Sequence, residues 1–325
     1  MEYRVKAPVV LTVFRRPATV AKVFQQIRKV KPSQLFIIAD GPRKDIPGEA
    51  DLCQQALAVV DKVDWDCQVH RNCSDINLGP RRRLVSGFSW VFEEVEKAII
   101  LEEDCLPHWT FFRYCDELLD RYATDTRVST ISGDNFIGSS YDKTDSYYFS
   151  AYTCLWGWAT WRRAWAYYDP TLASWQELRK TNWLRKRLSN DEAYEYWRIA
   201  FDSIYRLGEM FDNWDLQWTF ASWLQNGLCV TPNCNLVSNI GFGPDANSGV
   251  METPLGNIPV QAMEFPLRHP TTLAPDIEAD IYLQRFAYGP PPPIDLKQRV
   301  KNAIYDVMPV QVWRYLYRKY HRLSQ

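Results

Sequence analysis

The sequence predicts an α/β protein whose central, mostly parallel sheet is flanked by helices. Over the first hundred residues, short apolar runs alternate with segments of helical periodicity in the order β-α-β-α-β-α-β. A helix between consecutive strands is the connection that parallel strands need. With 325 residues, of which 46% are hydrophobic, the chain is long enough to bury a large core.

Each element of this first half has its own signal. The predicted strands are the apolar runs APVVLTVF, QLFIIADGP and AIIL, together with the weakly alternating DWDCQVHRN. The first helix starts near Pro17 and places Val20, Val23 and Ile27 on one face. Further helices are predicted over EADLCQQALAVVDKV and PRRRLVSGFSWVFEEVEK. In such a sheet, ligands bind beyond the carboxyl ends of the strands.

The second half of the chain is less regular. A helix is predicted over HWTFFRYCDELLDRY, a strand over RVSTIS, and two helices at about 190–207 and 214–226. Residues 147–165 are aromatic without a clear period, and GLCVTPNCNLVSNIG indicates a strand followed by a loop. The Pro-rich segment 250–295 is expected to be extended or linker-like, and a basic, aromatic tail follows it.

Composition and charge argue against several classes of protein. A net charge of −1 disfavours a general nucleic-acid binder, and no apolar run is long enough for a membrane span. The mixed-charge start MEYRVKAPVVLTVF does not resemble a signal peptide, so the eight cysteines are expected to be reduced thiols of a cytoplasmic protein. Cys67, His70 and Cys73 form a C-x2-H-x2-C pattern. No second pair follows at zinc-finger spacing, so idle or buried thiols are favoured over a zinc site.

Three neighbouring acids end the fourth predicted strand. Glu102, Glu103 and Asp104 follow AIIL, and such close carboxylates raise one another's pKa unless a cation relieves them. Carboxylates are hard ligands for Mg²⁺ or Mn²⁺, whose remaining positions phosphates and waters can fill. The alternatives are a carboxyl pair for acid–base chemistry and an acidic cluster that favours the dipole of the following helix.

Arginines at neighbouring element ends indicate a phosphate ligand. Arg81, Arg82 and Arg83 lie in the first turn of a predicted helix, where cations are unfavourable unless an anion binds there. Arg16 follows the first strand, and solvated arginines are the alternative. The chain has neither a P-loop nor a dinucleotide-binding glycine fingerprint. Acids and arginines together favour a nucleotide diphosphate bound with a metal.

The tryptophans are concentrated in one region. Ten of the 14 lie between Trp156 and Trp223. Most are expected in the core, but flat indole faces also suit the apolar faces of sugar rings. A carbohydrate site is therefore the functional alternative.

Five segments in order resemble the GT-A fold glycosyltransferases, and within them the N-acetylglucosaminyltransferase I type. PVVLTVFRRP and FIIADG resemble the family's first two strands with their nucleotide contacts. AIILEEDCLPHWTFFRY resembles the V-V-E-D-D-L-x-x-x-x-D-F-F-x-Y pattern that holds the family's metal motif. YTCLWGWATWRRAW and DNWDLQW resemble its G-L-G-W and W-D-D-W segments. The likeness covers about residues 7–245 and implies a GT-A fold with a Trp-rich acceptor half and a C-terminal extension.

The resemblance implies roles at the metal and the donor sugar. Asp104 would ligate the Mn²⁺ (or Mg²⁺) that bridges the diphosphate. Glu102 and Trp214 would contact the donor sugar. Glu103 would join them or contact the ribose or a metal-bound water, and it stands where the family has the shorter Asp.

The resemblance also implies nucleotide contacts and a base. Arg16 and Asp40 would hold the nucleotide, with Asp40 reading the uracil. Arg82 and Arg83 are expected to bind the nucleotide with them, because they lie at a helix N-terminus that favours a bound phosphate. Asp215, in a W-D-x-x-W segment rather than W-D-D-W, would be the catalytic base.

The implied function is a metal-dependent, inverting transfer of a hexosyl or N-acetylhexosaminyl group. The donor would be a nucleotide sugar, first of all a UDP-sugar, and the acceptor a hydroxyl of a glycan or lipid-linked saccharide. One displacement requires no nucleophilic residue. The rivals are a metal-dependent nucleotidyltransferase, against which the Gly-free FRRPAT argues, and an inactive carbohydrate- or nucleotide-binding protein.

The chain is expected to divide into three parts. Residues 1–104 would form the nucleotide-sugar-binding half, 105–250 the acceptor and catalytic half of the same domain, and 251–325 the Pro-rich extension and tail. The amphipathic tail would either contact the inner face of a membrane peripherally or pack on the domain.

Three further features are candidates for the site. Asp134 and Asn135 would line the donor or acceptor side. His108 would be either a second metal ligand or a first-turn helix residue. The loop NIGFGPDANSG would be either a mobile lid or a structural turn.

Overall fold

The computed structural model describes residues 3–138, 144–188, 190–243, 253–290, 308 and 310–322. Its strands are β1 (Val9–Val13), β2 (Gln34–Ala39), β3 (Gln68–Cys73), β4 (Lys97–Leu101), β5 (Cys105–Pro107), β6 (Val128–Ser132), β7 (Tyr147–Ser150), β8 (Trp158–Trp161), β9 (Leu228–Pro232) and β10 (Val237–Asn239). Its helices are α1 (Pro17–Val30), α2 (Glu49–Val60), α3 (Pro80–Glu94), α4 (Thr110–Arg121), α5 (Arg162–Trp165), α6 (Trp175–Leu178), α7 (Trp183–Arg187), α8 (Asp191–Leu207), α9 (Asp215–Leu224), α10 (Ile277–Leu283) and α11 (Val310–Arg322).

An eight-stranded sheet forms the centre of the fold, in the order β3-β2-β1-β4-β8-β6-β9-β7. β3, β2, β1 and β4 are parallel neighbours, and so are β6 and β9. β8 and β7 run antiparallel to the strands they pair with. Six of the eight strands therefore point the same way, which confirms the predicted α/β class with a mostly parallel sheet.

Both faces of the sheet are buried, and β1 shows how. Val9, Leu11 and Val13 join one hydrophobic cluster with residues of α1, α2 and α4. Val10 lies on the other face, in a cluster with residues of α3, α5 and α9. Since helices cover both faces, β1, β2 and β4 are apolar at nearly every position. This is why short apolar runs predicted the strands correctly.

β8 departs from the sequence prediction, which treats residues 147–165 as irregular. It lies between β4 and β6, antiparallel to both. All four of its residues are buried, with Trp158 on one face and Ala159 on the other. Because both faces are buried and the strand is short, it lacks the alternation that would have marked it.

The segment 253–290 packs on the domain, which corrects the linker-like expectation. Asp276 caps α10 by accepting a hydrogen bond from the Ala279 amide at 3.2 Å. The buried carboxylate of Asp280 accepts from Ser150 Oγ at 2.5 Å and from the Ala151 amide at 3.0 Å. The high proline content hid a short helix whose hydrogen bonds join it to the end of β7.

The tail helix α11 also packs on the domain. Arg314 donates to the Tyr205 and Arg206 carbonyls at the end of α8, at 2.6 and 3.1 Å, and Trp313 is buried. Tyr315 is exposed, and peripheral membrane contact stays a prediction. Among the described helices, none is both long and apolar enough to cross a membrane.

A small second sheet positions the acid motif. β5 follows the acids directly and pairs antiparallel with β10, with Cys105 opposite Asn239. The Ile240 amide extends this pairing by donating to the Asp104 carbonyl at 2.9 Å. The chain after β10 is thereby held against the acids at the end of β4.

Candidate active site

A cleft of about 640 Å³ lies beyond the carboxyl ends of β1, β2 and β4. This is where ligands bind in open α/β sheets. Most of the predicted site residues line it, together with several that the sequence analysis did not single out: Phe14, Arg16, Asp40, Arg43, Asn77, Arg83, Glu102, Glu103, Asp104, Trp156, Asp212, Asn239, Gly241 and Phe242.

Arg16 binds two of the three acids. Its Nη2 lies 2.5 Å from Asp104 Oδ2, and its Nε lies 2.9 Å from Glu103 Oε1. The other oxygen of Glu103 accepts a hydrogen bond from the Phe14 amide at 2.7 Å. Glu103 is thus buried and held by the end of β1, whereas the Asp104 side chain is 16% exposed at the cleft. The structure therefore gives Glu103 a positioning role beside the loop that carries Arg16.

The pKa of Glu102 is strongly raised in this arrangement. Desolvation raises its pKa to about 8, the charges of Asp104, Asp215 and Glu103 add to the shift, and Arg16 opposes it. A single guanidinium therefore does not offset the local negative charge. A second cation in the cleft would stabilise the ionised acids.

Gly241 allows the chain to pass close to this ion pair. Arg16 Nη1 donates to its carbonyl at 3.0 Å, and Asn239 Oδ1 accepts from its amide at 2.8 Å. A Cβ at this position would stand 2.8 Å from Asp104 Cγ and 2.9 Å from Arg16 Nη1. Only glycine fits this approach without displacing the acid. The expected lid runs on beyond it, and its residues 244–249 lie outside the described ranges.

Asp40 ties two loops together at the end of β2. Its carboxylate accepts hydrogen bonds from the amides of Gly41, Leu78 and Gly79 and from Asn77 Nδ2, at 2.9–3.1 Å. Burial raises its pKa, against the lowering effect of the backbone donors. Four intramolecular donors occupy the usual acceptor capacity of a carboxylate. Asp40 lines the cleft as predicted, while its contacts shape the loop before α3.

The three arginines in the first turn of α3 point in different directions, because successive residues of a helix lie on different faces. Arg83 lines the cleft, donates to Asn72 Oδ1 at 2.7 Å, and has a buried Nε without a hydrogen-bond partner. Arg82 does not line the cleft; it is exposed and pairs with Glu209. Arg81 is buried, and its amide donates to Asp212 Oδ1 at 3.1 Å. An acid of the chain itself thus stands at the helix terminus where the sequence suggested a phosphate.

A second cavity, of about 190 Å³, adjoins the cleft. Glu102 and Trp156 line both spaces, and Asp215 and Trp214 line the second. The structure therefore brings the predicted base and Trp214 next to the predicted donor-sugar residue, although more than a hundred residues separate them in sequence. Asp134 also lies on this wall, whereas Asn135 is buried beside it and caps the following turn.

Asp215 is the first residue of α9. Its Oδ1 accepts from the Leu216 amide at 2.6 Å, and its own amide donates to Asn213 Oδ1 at 2.9 Å. Desolvation raises the pKa of Asp215, against the lowering effect of hydrogen bonds from the Leu216 amide and the Asn213 side chain. A carboxylate with a raised pKa is a stronger proton acceptor, which suits a general base.

Most of the clustered tryptophans are core residues. Trp158, Trp175, Trp197, Trp218 and Trp223 are fully buried. Trp156 and Trp214 differ because they line the cavities. The core expectation holds for the majority, and it includes Trp214 in part, since this residue is 6% exposed and packs on Phe88 and Trp158.

The weaker metal candidates are not gathered into a site. His108 accepts from the Thr110 amide at 3.3 Å through Nδ1, at the start of α4, and does not line the cleft. His70 stacks on Phe36, with ring centroids 4.3 Å apart, and all eight cysteines are free. Among the described residues, no group of three His, Cys, Asp or Glu side chains forms a protein-only metal cage.

Sequence analysis missed several lining residues. Arg43 comes from a loop with no motif of its own, whereas Asp212 opens the DNWDLQW segment. Asn239, the last residue of β10, and Phe242 belong to the loop that was expected to be a lid or a turn. Trp156 had a signal, since it stands inside the segment compared with G-L-G-W. The loop residues are brought to the cleft by strand pairing and backbone contacts that no local pattern reveals.

Among known proteins, the chain is similar only to solved structures, and the TM-scores of those given below are low. No protein-family model and no curated protein matches the chain. The mannosyltransferase PcManGT from Pyrobaculum calidifontis, in complex with GDP-Man and Mn²⁺, is 10% identical, with TM-score 0.33 over 68% of this chain and 70% of its own. A 4-diphosphocytidyl-2C-methyl-D-erythritol synthase from Anaerococcus prevotii DSM 20548 is 10% identical, with TM-score 0.31 over 52% and 76%. A UDP-glucose pyrophosphorylase complexed with UDP-glucose is 8% identical, with TM-score 0.27 over 46% and 64%. The narrower likeness to N-acetylglucosaminyltransferase I stays a prediction.

Proposed function

We propose that this protein is a metal-dependent, inverting glycosyltransferase that uses a nucleotide-sugar donor, first of all a UDP-sugar. The observation that carries the proposal is the joining of two spaces at Glu102. One is a cleft lined by acids and arginines, and the other is a smaller cavity that contains the base candidate Asp215. A donor diphosphate suits the first space and an acceptor hydroxyl the second, and the donor sugar would lie at Glu102, where the two spaces meet, on the side of Trp214.

The acids at the end of β4 suit a divalent metal bound together with a diphosphate. Asp104 is partly exposed at the cleft, whereas Glu103 is buried, and desolvation together with the charges of Asp104, Asp215 and Glu103 raises the pKa of Glu102. Mg²⁺ and Mn²⁺ are commonly held by one or two carboxylates, with phosphates and waters completing the shell. Asp104 would hold such an ion, which would polarise the diphosphate as a leaving group.

Two arginines would hold the nucleotide diphosphate. Arg16 pairs with acids in the cleft and is placed to transfer part of its bonding to a phosphate. The buried Nε of Arg83 has a donor to spare. Charge-assisted hydrogen bonds from such groups would stabilise the charge that develops as the diphosphate leaves.

Asp215 would act on the acceptor. It would take the proton from an acceptor hydroxyl as that oxygen bonds to the anomeric carbon. The bond from that carbon to the diphosphate would break, and its electron pair would leave with the nucleotide. The acceptor would be a glycan or lipid-linked saccharide, and the division into a donor half, 1–104, and an acceptor half, 105–250, belongs to the same proposal.

Binding of nucleotides with and without metal tests the proposal. We expect UDP with Mn²⁺ to stabilise the protein by about 2.7 kcal/mol at a hundred times Kd, measured by thermal shift and calorimetry. Asp104→Asn should weaken this binding by about tenfold or more, because it removes a charged ligand. Asp120→Asn is the matched control, since Asp120 pairs with Lys97 at the surface and does not line the cleft.

The products then separate the rival functions. A glycosyltransferase releases UDP from a UDP-sugar. A nucleotidyltransferase would instead release pyrophosphate from UTP and a sugar phosphate, and a binding protein would form neither product. If no nucleoside diphosphate binds with or without Mn²⁺, the proposed donor site is wrong.

A further inference from the structure

Asp134 is a buried acid with an unused oxygen on the wall of the second cavity. Its side chain is almost fully buried, with 1% of the residue exposed. Oδ2 accepts a hydrogen bond from the Trp156 amide at 2.9 Å, whereas Oδ1 has no hydrogen-bond partner. A buried polar atom without a partner is unfavourable, because it has lost its hydrogen bonds to water. A ligand that supplied a hydrogen bond here would recover that energy.

The backbone holds Asp134 firmly in this position. Its amide donates to Ser132 Oγ at 3.0 Å, just after β6, and the preceding Gly133 donates to the Gly157 carbonyl at 2.7 Å. These two bonds fix the main chain on either side of the residue, and the Trp156 amide holds the carboxyl itself through Oδ2. The unpartnered oxygen is therefore a built feature of the cavity wall.

The size and chemistry of the cavity suit one sugar ring. Its 190 Å³ corresponds to roughly six waters at about 30 Å³ each. Trp156, Trp214 and Tyr288 supply aromatic walls, and Thr153 and Thr219 add hydroxyls. A pyranose ring has apolar C–H faces and a rim of hydroxyls. The aromatic walls suit its faces, and the hydrogen-bonding groups suit its hydroxyls.

The charge of the cavity selects among sugars. No Lys or Arg is among the described residues that line it, and its three acids are Glu102, Asp134 and Asp215. A carboxylate or phosphate on the ligand would be buried without a cation, which is unfavourable. Burial also raises the pKa of Asp134 well above its usual range, which favours a neutral carboxyl that can donate as well as accept.

We propose that this cavity binds one neutral monosaccharide unit of the acceptor, and that Asp134 hydrogen-bonds a hydroxyl beside the one that reacts. The acceptor assignment rests on the proposed function, whereas the sugar site itself does not. Asp134 positions the ring and takes no proton in the reaction, which separates its role from that of Asp215.

Saturation-transfer NMR on the full chain tests the site directly. The probes are D-mannose, D-galactose, N-acetyl-D-glucosamine and the acidic D-glucuronate. Asp134→Ala should weaken binding of the neutral sugar that binds best by about tenfold, while Asp134→Asn should keep it within about threefold, since the amide can both donate and accept. Ala287→Phe fills the cavity from another wall, leaves Asp134 intact, and should also remove the signal. Glucuronate should bind more weakly than the neutral sugars to the unaltered protein.

The outcomes separate this site from the donor site. Calorimetry with UDP and Mn²⁺ runs in parallel, and its Kd should stay within twofold in all three variants. If the protein binds the sugar but not UDP, the sugar site is supported and the proposed donor site is refuted. UDP binding with no sugar signal, or with equal signals in all variants, would overturn this site alone. Preferred binding of glucuronate would refute the selection for a neutral sugar. Loss of binding in Asp134→Asn would refute a neutral hydrogen-bonding role for Asp134.

Discussion

Gly241→Ala should displace the acid at the centre of the cleft. The new Cβ would stand 2.8 Å from Asp104 Cγ, whereas ordinary contacts begin at 3.4 Å. The carboxyl group or the loop must therefore move by about 0.6 Å or more in a well-packed site. The movement stretches the ion pair of Asp104 with Arg16 and the bond from Arg16 to the Gly241 carbonyl. Overpacking of this kind costs about 1–3 kcal/mol of stability.

The substitution should also weaken binding. Loss of one hydrogen bond to a charged group is worth about 1.5–3 kcal/mol, which is roughly tenfold to more than a hundredfold in Kd. We expect calorimetry with UDP and Mn²⁺ to show this loss, and urea unfolding to show the cost in stability separately. Gly48→Ala is the control: Gly48 has φ of 78°, and a Cβ there would meet no atom within 4 Å, so its substitution adds backbone strain without pressing on Asp104. Equal UDP affinity in Gly241→Ala and the unaltered protein would refute the placement of the metal and diphosphate beside Asp104.

Two further predictions concern stability. Phe88→Ala should lower the free energy of unfolding by about 3–5 kcal/mol in urea titrations, because Phe88 is fully buried edge-on to Trp158, Trp165 and Trp214 at 5.3–5.8 Å; a loss below 1 kcal/mol would contradict this packing. Asp280→Asn should flatten the pH dependence of stability between about pH 4 and 7, since burial raises the pKa of Asp280 to about 7. The folded protein favours the neutral form of Asp280, so the stability that this group contributes is complete below the unfolded pKa and is lost as pH rises through about 7. An unchanged pH profile in Asp280→Asn would refute this prediction.

Much of the fold could be predicted because its signals are local. The strands β1, β2 and β4 are short apolar runs, and the helices between them carry clear apolar faces. β8 could not be predicted, since its place between β4 and β6 is set by pairing with residues far away in sequence. The short helix α10 was hidden among prolines, although Asp276 is an ordinary capping residue.

The site was predictable where side chains follow an element end. Glu102, Glu103 and Asp104 come directly after β4 and face the cleft together. Helix phase could have separated Arg82 from the others: it lies nearly opposite Leu84 on the apolar stripe of α3, and it is exposed. That Arg16 holds Glu103 as well as Asp104 depends on non-local geometry that no spacing encodes.

Sugar transfer by Asp215→Asn tests the central claim most directly. The Asn side chain is nearly isosteric with Asp but cannot accept the proton. We expect transfer from the UDP-sugar to fall by about 10²–10⁴-fold, the usual contribution of a general base, while the Kd for UDP with Mn²⁺ stays within twofold. Transfer that survives within about tenfold would contradict Asp215 as the base and the assignment of the second space to the acceptor hydroxyl.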